Sequence, residues 1–177
     1  MKEIPVLTTE RLALRGFTER DLDELAEITA DPEVNRYLGA GQPLDRASTW
    51  RSMALALGHW QLRGYGMWLV VERSSGRLVG RAGLWSPEGW PGLEVGWLIA
   101  RPRWGEGLAT EAGRACVDYA FGVLGADHVI SVIHPDNAAS IRVAEKLGET
   151  FERKVELLGY PAVVYGVHRS TWHLPRA

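Results

Sequence analysis

Two glycines in the segment RPRWGEGLATEA, residues 101–112, stand one residue apart, between a run typical of a β-strand and a run typical of a helix. The first N–H groups of a helix have no intrahelical partner, and the helix dipole places positive potential there. Because Gly105 and Gly107 have no Cβ atom, a phosphate group could approach this backbone closely. The spacing is compatible with binding of an anion, and a plain tight turn is the alternative.

The two commonest nucleotide-binding motifs do not fit this turn. The dinucleotide fingerprint requires a third glycine three positions after the second, where this chain has Thr110. A Walker loop requires Gly-Lys before Ser or Thr, and no lysine of the chain precedes either residue. An anion bound here would belong to another ligand.

Two further positions carry polar side chains that could take part in chemistry. Glu94 is the only acid in LEVGWLIA, residues 93–100, a mostly apolar run typical of a strand buried on both faces. In a strand, the side chain of Glu94 shares a face with those of Leu98 and Ala100. Asn137 follows HPD at the start of a helical pattern, where an asparagine is a good cap whatever else it does.

The elements that position these residues can be predicted from periodicity. Strands are expected at residues 11–15, 67–72, 77–85, 93–100, 128–133, 151–157 and 162–170. Helices are expected after a Thr18–Asp21 capping box, at 31–34, at 45–62, from the glycine turn to about 123, and at 137–148. No repeat or linker divides the chain, so we expect one α/β domain on a mixed sheet.

The same patterns predict which side chains face the core. Leu12 and Leu14 alternate with polar residues and should point inward. The helix after the glycine turn should bury Leu108, Ala112, Cys116, Tyr119 and Val123. The segment 44–60 is interpreted as helix packing, with Trp50 or Trp60 lining a pocket as the alternative.

Composition excludes several classes of protein. Acidic and basic residues nearly balance, at 22 against 20, and neither sign forms a block, so neither nucleic acid nor a membrane surface is expected as a partner. No apolar run approaches the ~20 residues of a membrane span, and MKEIPVLTTERL has no signal-peptide pattern. The single cysteine, Cys116, fits a reducing cytoplasm. The five histidines are scattered and predict no metal site.

Several ordered segments resemble the GNAT superfamily of N-acetyltransferases. The acetyl-CoA loop of that superfamily has the form Gln/Arg-x-x-Gly-x-Gly/Ala, and WGEGLA, residues 104–109, is similar to it except at the first position. The branch that contains the Rim-type ribosomal-protein acetyltransferases is similar over almost the whole chain, through TTERLALRGFTERDLDEL, DPEVNRYLG, LEVGWLI, HPDNAASIRVAEKLG and YGVHRSTW. The resemblance implies that the anion is the pyrophosphate of coenzyme A.

The fold and the cosubstrate follow from the same resemblance. It implies one N-acetyltransferase domain over residues 1–177, an α/β GNAT-like fold with a mixed, mostly antiparallel central sheet of six to seven strands flanked by helices. Acetyl-CoA is the implied cosubstrate, without a metal. The implied cofactor-binding residues are Leu98, Ile99, Ala100, Arg103, Trp104, Gly105, Glu106, Gly107, Leu108, Ala109, Thr110, Asn137 and Ser140.

Acetyl transfer to an amine needs a base, because an α-amine has a pKa of ~8 and a lysine amine one of ~10.4. The resemblance places Glu94 upstream of the reacting carbon, so Glu94 is the predicted general base, acting directly or through water. The open alternative is a carboxylate at a sheet edge, solvated or paired with an arginine. A backbone N–H group near Leu98 to Ala100 would polarise the thioester carbonyl.

The general acid is harder to assign, because the chain departs from the superfamily at two positions. The usual tyrosine, seven residues after the asparagine, is Ala144. Ser140 is the catalytic candidate instead, Tyr160 or Tyr165 could substitute, and a thiol of pKa ~8.5 could also leave with little help. The usual phenylalanine after Gly148 is Glu149, so either Phe151 compensates or the local packing differs.

The predicted function is acetyl-CoA-dependent transfer of an acetyl group to a primary amine by direct attack in a ternary complex. The acceptor is a protein N-terminal α-amine or a small-molecule amine. A non-catalytic acyl-CoA-binding or sensing module is one alternative, and a domain that binds another phosphorylated ligand is a second. A cytoplasmic location is expected, and a homodimer is compatible by analogy.

Overall fold

Eight strands form one sheet in a computed structural model that describes residues 3–172. They are β1 (Leu7–Thr8), β2 (Leu12–Arg15), β3 (Met67–Glu72), β4 (Leu78–Trp85), β5 (Glu94–Ile99), β6 (His128–Ile133), β7 (Thr150–Leu157) and β8 (Tyr160–His168). Their order is β1-β2-β3-β4-β5-β6-β8-β7, and every pair is antiparallel except β5 with β6. The mixed, mostly antiparallel α/β sheet is confirmed. The strand beyond the expected six to seven is the two-residue β1, too short to show a period.

Five helices cover this sheet within the described residues. They are α1 (Leu22–Thr29), α2 (Pro32–Asn35), α3 (Arg46–Arg63), α4 (Leu108–Gly122) and α5 (Ala138–Lys146). Short 3-10 turns occur at Glu19–Asp21, Arg101–Arg103 and Arg169–Thr171. All five helices were expected, within a few residues at their ends. The structure contains no helix, among those it describes, that is long and apolar enough to cross a bilayer.

Local signals explain where these helices start and stop. The capping box of Thr18 and Asp21 is present before α1. The Asp45 side chain caps α3 by accepting a hydrogen bond from the Ser48 N–H at 2.6 Å. The same helix ends at Gly64, whose φ of 81° lies in the left-handed region that favours glycine.

The core consists of two layers, one on each face of the sheet. On one face α4 packs its apolar stripe against the strands, and Ala112 and Cys116 are fully buried there. The expectation for Val123 was wrong, because the helix ends one residue earlier and leaves that side chain 68% exposed. On the other face α1 and α3 pack against Leu69 and Leu78. Leu12 and Leu14 are fully buried, as expected.

The parallel pair β5–β6 is the irregular part of the sheet. The two strands share one paired position, Glu94 with Ile130, whereas β4 and β5 pair over six. Next to it, the Ser131 hydroxyl donates to the Val95 carbonyl at 3.1 Å. Beyond this side-chain bridge β5 leaves its neighbour. The sheet therefore opens a gap in its centre, beside the end of β5 that leads into the glycine turn.

Candidate active site

The glycine turn connects the open end of β5 to α4. Gly105 has a φ of 84° and Gly107 a φ of 80°, both in the left-handed region. An added Cβ at Gly105 would meet nothing within 4 Å, so the turn is open to solvent. Gly107 is the N-cap of α4 and has no side chain to cap the first amides. The N–H groups at 108–110 therefore face a site without a side-chain acceptor.

A network of paired charges holds this turn in place. The guanidinium group of Arg103 contacts Glu72 at 2.6 Å and Glu106 at 2.9 Å. Arg11 donates to the Glu106 carbonyl at 2.9 Å and forms an ion pair with Glu111 at 2.7 Å. Arg103 and Glu106, both predicted to bind the cofactor, thus bind each other. Their side chains fix the loop and leave its backbone to meet a ligand.

The backbone of β5 shows which groups face the gap. The carbonyl of Leu93 accepts from Ile130, that of Val95 from Ser131, and that of Ile99 from the Trp104 indole at 2.7 Å. Because peptide groups alternate along a strand, odd-numbered residues point toward β6.

The same alternation divides the predicted amides, at residues 98–100, between the two sides of β5. The Ala100 N–H is already bonded to the Val79 carbonyl of the neighbouring chain segment at 2.8 Å. In an alternating strand, Leu98 faces β4 like Ala100, so Trp97 and Ile99 are the residues whose peptide groups line the gap. Trp97 was missed because the sequence alone does not say which side of β5 is unpaired.

A cavity of about 370 Å³ lies at this gap. Its walls come from β3 to β6, from α3 and α5, and from residues 37–39. Glu94 lines it and accepts a hydrogen bond from the Trp90 indole N–H at 2.5 Å. Burial raises the pKa of Glu94 to about 8, although hydrogen bonds from Trp90 and the Val132 backbone oppose the shift. The carboxylate is not at a sheet edge, and no arginine among residues 3–172 pairs with it.

A second carboxylate lies buried behind Glu94. Glu149 is 2% exposed; one oxygen accepts from the Ser131 hydroxyl at 3.0 Å, and the other has no hydrogen-bond partner. Burial raises the pKa of Glu149 to about 8, and the negative charges of Glu94 and Glu152 add to the shift. Phe151 does not compensate for the missing phenylalanine, because it is 52% exposed. The alternative, different local packing, is therefore the one observed.

The start of α5 brings Asn137 and Ser140 to the cavity. The Asn137 side-chain oxygen accepts from the Ser140 backbone N–H at 3.1 Å, so the predicted cap is present. Both residues line the cavity, and the Ser140 hydroxyl takes no part in that cap. Ala144 is fully buried one turn later.

Neither tyrosine suggested as a substitute acid lines the cavity. Tyr160 is 43% exposed at the start of β8, and Tyr165 packs edge-on against Phe151 with ring centroids 5.9 Å apart. Tyr37 lines the cavity instead, with its ring 5.2 Å from that of His134. It lies just after α2, in a segment that carries no motif with a chemical function.

The tryptophans separate into core and cavity groups. Trp60 is buried and donates to the Met67 carbonyl, and Trp50 is 49% exposed away from the cavity. Helix packing is therefore the right interpretation for Trp60. Neither side chain lines the cavity at the gap, and Trp50 lies in a second, more open pocket with Leu22 and Arg51. The tryptophans that do line the cavity are Trp85, Trp90 and Trp97.

The histidines are less scattered in space than in sequence. His128 and His168 stack across β6 and β8 with centroids 4.3 Å apart, and His128 lies 2.6 Å from a Glu152 oxygen. The ligand atoms of these three residues lie within 4.8 Å of one another. The sequence does not predict this cluster, because only the pairing of β6, β7 and β8 brings the three residues together. The fifth histidine, His173, lies outside the described residues.

A central sheet that parts beside a helix with a glycine N-cap is the arrangement that the resemblance to GNAT acetyltransferases leads one to expect. The comparison with known families agrees. Residues 11–150 match the family described as acetyltransferase (GNAT) domain, so the chain belongs to that family.

Individual relatives support the same assignment. YkkB of Bacillus subtilis (strain 168) is 32% identical over 167 residues, which cover 90% of this chain and 93% of YkkB. The crystal structure of an acetyltransferase from Agrobacterium tumefaciens str. C58 is 31% identical, with a TM-score of 0.84 over 96% of this chain and 97% of that one.

A ribosomal-protein acetyltransferase shares the fold. RimL, a ribosomal L7/L12 alpha-N-protein acetyltransferase solved in complex with coenzyme A, has a TM-score of 0.78 over 93% of this chain and 98% of its own. At 18% identity this likeness concerns the fold alone. The Rim-type branch therefore stays a prediction.

Proposed function

We propose that this protein transfers the acetyl group of acetyl-CoA to a primary amine by direct attack in a ternary complex. Membership of the GNAT family already implies acetyl-CoA-dependent acetyl transfer. The observation that carries the finer proposal is Glu94, a carboxylate whose pKa is raised to about 8, in a cavity at the gap between β5 and β6.

The residues of the turn fit the diphosphate of coenzyme A. The amides at 108–110 have no side-chain cap, and the space over Gly105 is clear of other atoms. A helix start of this kind offers N–H donors and positive potential to a phosphate. The peptide groups of Trp97 and Ile99, together with the Asn137 amide, would hold the pantetheine arm along the gap.

Bound acetyl-CoA supplies an activated acetyl group, and the rest of the chemistry belongs to side chains and amides of this chain. A β5 amide that faces the gap would stabilise negative charge on the carbonyl oxygen. Glu94 would accept the proton of the acceptor amine, directly or through a water molecule. A base with a pKa near 8 is well matched to amines that are mostly protonated at neutral pH. The Ser140 hydroxyl would donate a hydrogen bond to the departing sulfur.

Catalysis is favoured over a sensing role by the same carboxylate. A module that only binds acyl-CoA needs the glycine turn but has no use for an acid kept in a poorly solvated site. The sensing role is favoured by one feature, the alanine at position 144 where the superfamily usually has a tyrosine. The acceptor class, the homodimer and the cytoplasmic location stay predictions.

The direct test is a titration with acetyl-CoA followed by an acceptor screen. Calorimetry should show a stoichiometric complex, and release of coenzyme A thiol should be detected with at least one peptide α-amine or small amine. Binding without release across a broad panel would favour the sensor. Stabilisation by nucleotides but not by coenzyme A would mean another phosphorylated ligand.

A further inference from the structure

Arg81 is a cation in the wall of the cavity with no acidic partner. It lies in the middle of β4, in the run LVGRAGLW, where it is the one charged residue. Among residues 3–172, no carboxylate lies within ion-pair distance of its guanidinium group and no hydrogen bond to that group is formed. Other arginines near the site, such as Arg103, have carboxylate partners.

Arg81 is half-buried in the cavity wall, so its guanidinium group is only partly solvated. Burial lowers the pKa of Arg81, and no neighbouring charge opposes that shift. An arginine cannot escape by losing its proton, because its pKa stays above the physiological range. Charges withdrawn from water are normally paired, so a half-buried guanidinium group without a partner in a cavity wall points to an anion supplied by the ligand.

The register of the sheet relates this cation to Glu94. Residues opposite each other in an antiparallel pair share a face, and Arg81 lies opposite Leu98 while Trp85 lies opposite Glu94. Arg81 and Glu94 therefore project from the same face, four residues apart along the ladder. At ~3.4 Å per residue their backbones are separated by roughly 14 Å. Both side chains line the cavity between them.

We infer that the acceptor is a zwitterion, an amine that also carries an oxyanion, and that Arg81 holds the oxyanion while the amine points to Glu94. This inference rests on the proposed function, since it names the substrate class of the same site. A guanidinium group presents paired N–H donors that match a carboxylate or a phosphate. Because Arg81 and Glu94 are held at a fixed separation, the site should prefer acceptors whose amine and oxyanion are a matching distance apart.

The experiment compares acceptors that differ only in charge or length. A series of ω-amino acids from glycine to 6-aminohexanoate varies the spacing, and each acid is paired with its carboxamide. O-Phosphoethanolamine and ethanolamine distinguish phosphate from carboxylate. Release of coenzyme A thiol should favour the anionic member of a pair by at least about tenfold in kcat/KM, with an optimum at one chain length. Equal rates for acids and amides would overturn the inference.

Variants at Arg81 assign the preference to this side chain. In Arg81→Gln the ratio of acid to amide should fall to about one, whereas Arg81→Lys should keep part of it. The KM for acetyl-CoA should not move in either. Arg77→Gln is the matched control, because Arg77 is exposed just before the same strand and does not line the cavity. A rise in the KM for acetyl-CoA in Arg81→Gln would assign Arg81 to the cofactor and overturn the inference.

Two measurements without turnover separate this inference from the proposed function. N-Acetyl-β-alanine, a stable product analogue, should stabilise the wild-type protein against heat in the presence of coenzyme A, and Arg81→Gln should abolish the shift. The thermal midpoint of Arg81→Gln without ligand should equal or exceed that of the wild type. If no acceptor turns over but the shift depends on Arg81, the anion site stands and catalysis fails. If Arg81→Gln unfolds more easily, Arg81 is structural and the inference is wrong.

Discussion

The charged side chains are paired in the glycine turn and unpaired in the cavity. In the turn, both arginines have carboxylate partners, Arg103 with Glu72 and Glu106, and Arg101 with Asp31 at 4.0 Å. In the cavity, Arg81 and Glu94 have no oppositely charged partner among residues 3–172. Glu149, which lies behind Glu94, likewise has no cationic partner there and accepts a hydrogen bond from the Ser131 hydroxyl.

This difference matches what each region has to recognise. On the proposed function, the turn would offer backbone amides to a diphosphate that is the same in every reaction cycle, and its side chains hold the loop in place. The cavity would receive a charged acceptor and change protonation state, which fits ionisable side chains without fixed partners. Unpaired buried charges reduce stability, which is the usual cost of a functional site.

Of the substitutions in the cavity, Glu94→Gln is expected to have the largest effect on activity. Glu94→Gln keeps the shape and can still contact Trp90 but cannot accept a proton. We expect kcat/KM for the best acceptor to fall by about 10²- to 10⁴-fold. The Kd of acetyl-CoA should stay unchanged by calorimetry.

Glu88→Gln is the control for Glu94→Gln, since Glu88 lies in the preceding loop with a fully exposed side chain. In the wild type, kcat/KM should rise with pH up to about 8, because the pKa of Glu94 is raised and only the deprotonated form is active. A Glu94→Gln enzyme with more than a fifth of wild-type activity would mean that another group is the base.

The turn should be broken by a side chain at its second glycine. In Gly107→Ala the new Cβ is placed at a φ of 80°, which costs about 1–2 kcal/mol for an L-residue. Relaxation of the backbone would then misalign the amides of α4. We expect the Kd of acetyl-CoA to rise by about tenfold, measured by calorimetry, since 1.4 kcal/mol corresponds to a factor of ten.

A control variant at Gly76 distinguishes an effect on acetyl-CoA binding from an effect of backbone strain on stability. Gly76 has a φ of 71° in the β3–β4 hairpin, and an added Cβ there would meet nothing within 4 Å, whereas one at Gly107 would be in ordinary contact with the Arg11 side chain at 3.7 Å. Gly76→Ala should lower the thermal midpoint about as much as Gly107→Ala and leave the Kd alone. If both variants bind acetyl-CoA like the wild type, the turn does not hold the diphosphate.

The contrast also explains which parts could be predicted from the sequence. The turn is local, so two glycines between a strand and a helix were enough to place it. The strands and helices followed from periodicity, and the errors are at short or terminal elements such as β1 and Val123. Ordered family motifs supplied the cofactor that spacing alone could not.

The cavity was largely invisible because it is built from distant segments. Tyr37, Arg81 and Glu94 come together only through sheet order and the crossover of α4, and Glu149 lies behind them against Ser131. Arg81 had one usable signal, a lone charge inside an apolar strand. Glu149 had another, a carboxylate where the family has a phenylalanine, and it was interpreted as a packing change.

A smaller effect is expected when the buried pair of carboxylates is split. The charge of Glu94 raises the pKa of Glu149, so the two carboxyl groups titrate as a coupled pair, and Glu149→Gln leaves Glu94 to titrate alone. The acidic limb of the kcat/KM profile should then fit a single ionisation, whereas the wild type should show the broader limb of two coupled groups. Loss of activity at all pH values with no change in the shape of this limb would mean that Glu149 only shapes the cavity.

Glu149→Gln should also change how the free energy of unfolding depends on pH. The pKa of Glu149 is raised from 4.5 to about 8 in the folded state, so the folded chain holds its proton more tightly than the unfolded chain. The free energy of unfolding therefore falls as pH rises between these values. In urea titrations, the free energy of unfolding of Glu149→Gln relative to the wild type should therefore be higher at pH 8 than at pH 5 by roughly 3–4 kcal/mol, at ~1.4 kcal/mol per pH unit. A pH-independent difference would exclude the buried titration.

The smallest effect is expected at the Ser140 hydroxyl, which lines the cavity. Ser140→Ala keeps the backbone N–H that donates to Asn137, so the start of α5 should be unchanged. A thiol of pKa ~8.5 needs little help to leave, so kcat should fall by less than about fivefold. Asn137→Ala removes the cap itself and should lower stability by about 1 kcal/mol as well as weaken acetyl-CoA binding. A hundredfold loss of kcat in Ser140→Ala, with the thermal midpoint unchanged, would instead make this hydroxyl the general acid, and the cavity would then contain a full acid–base pair despite the alanine at 144.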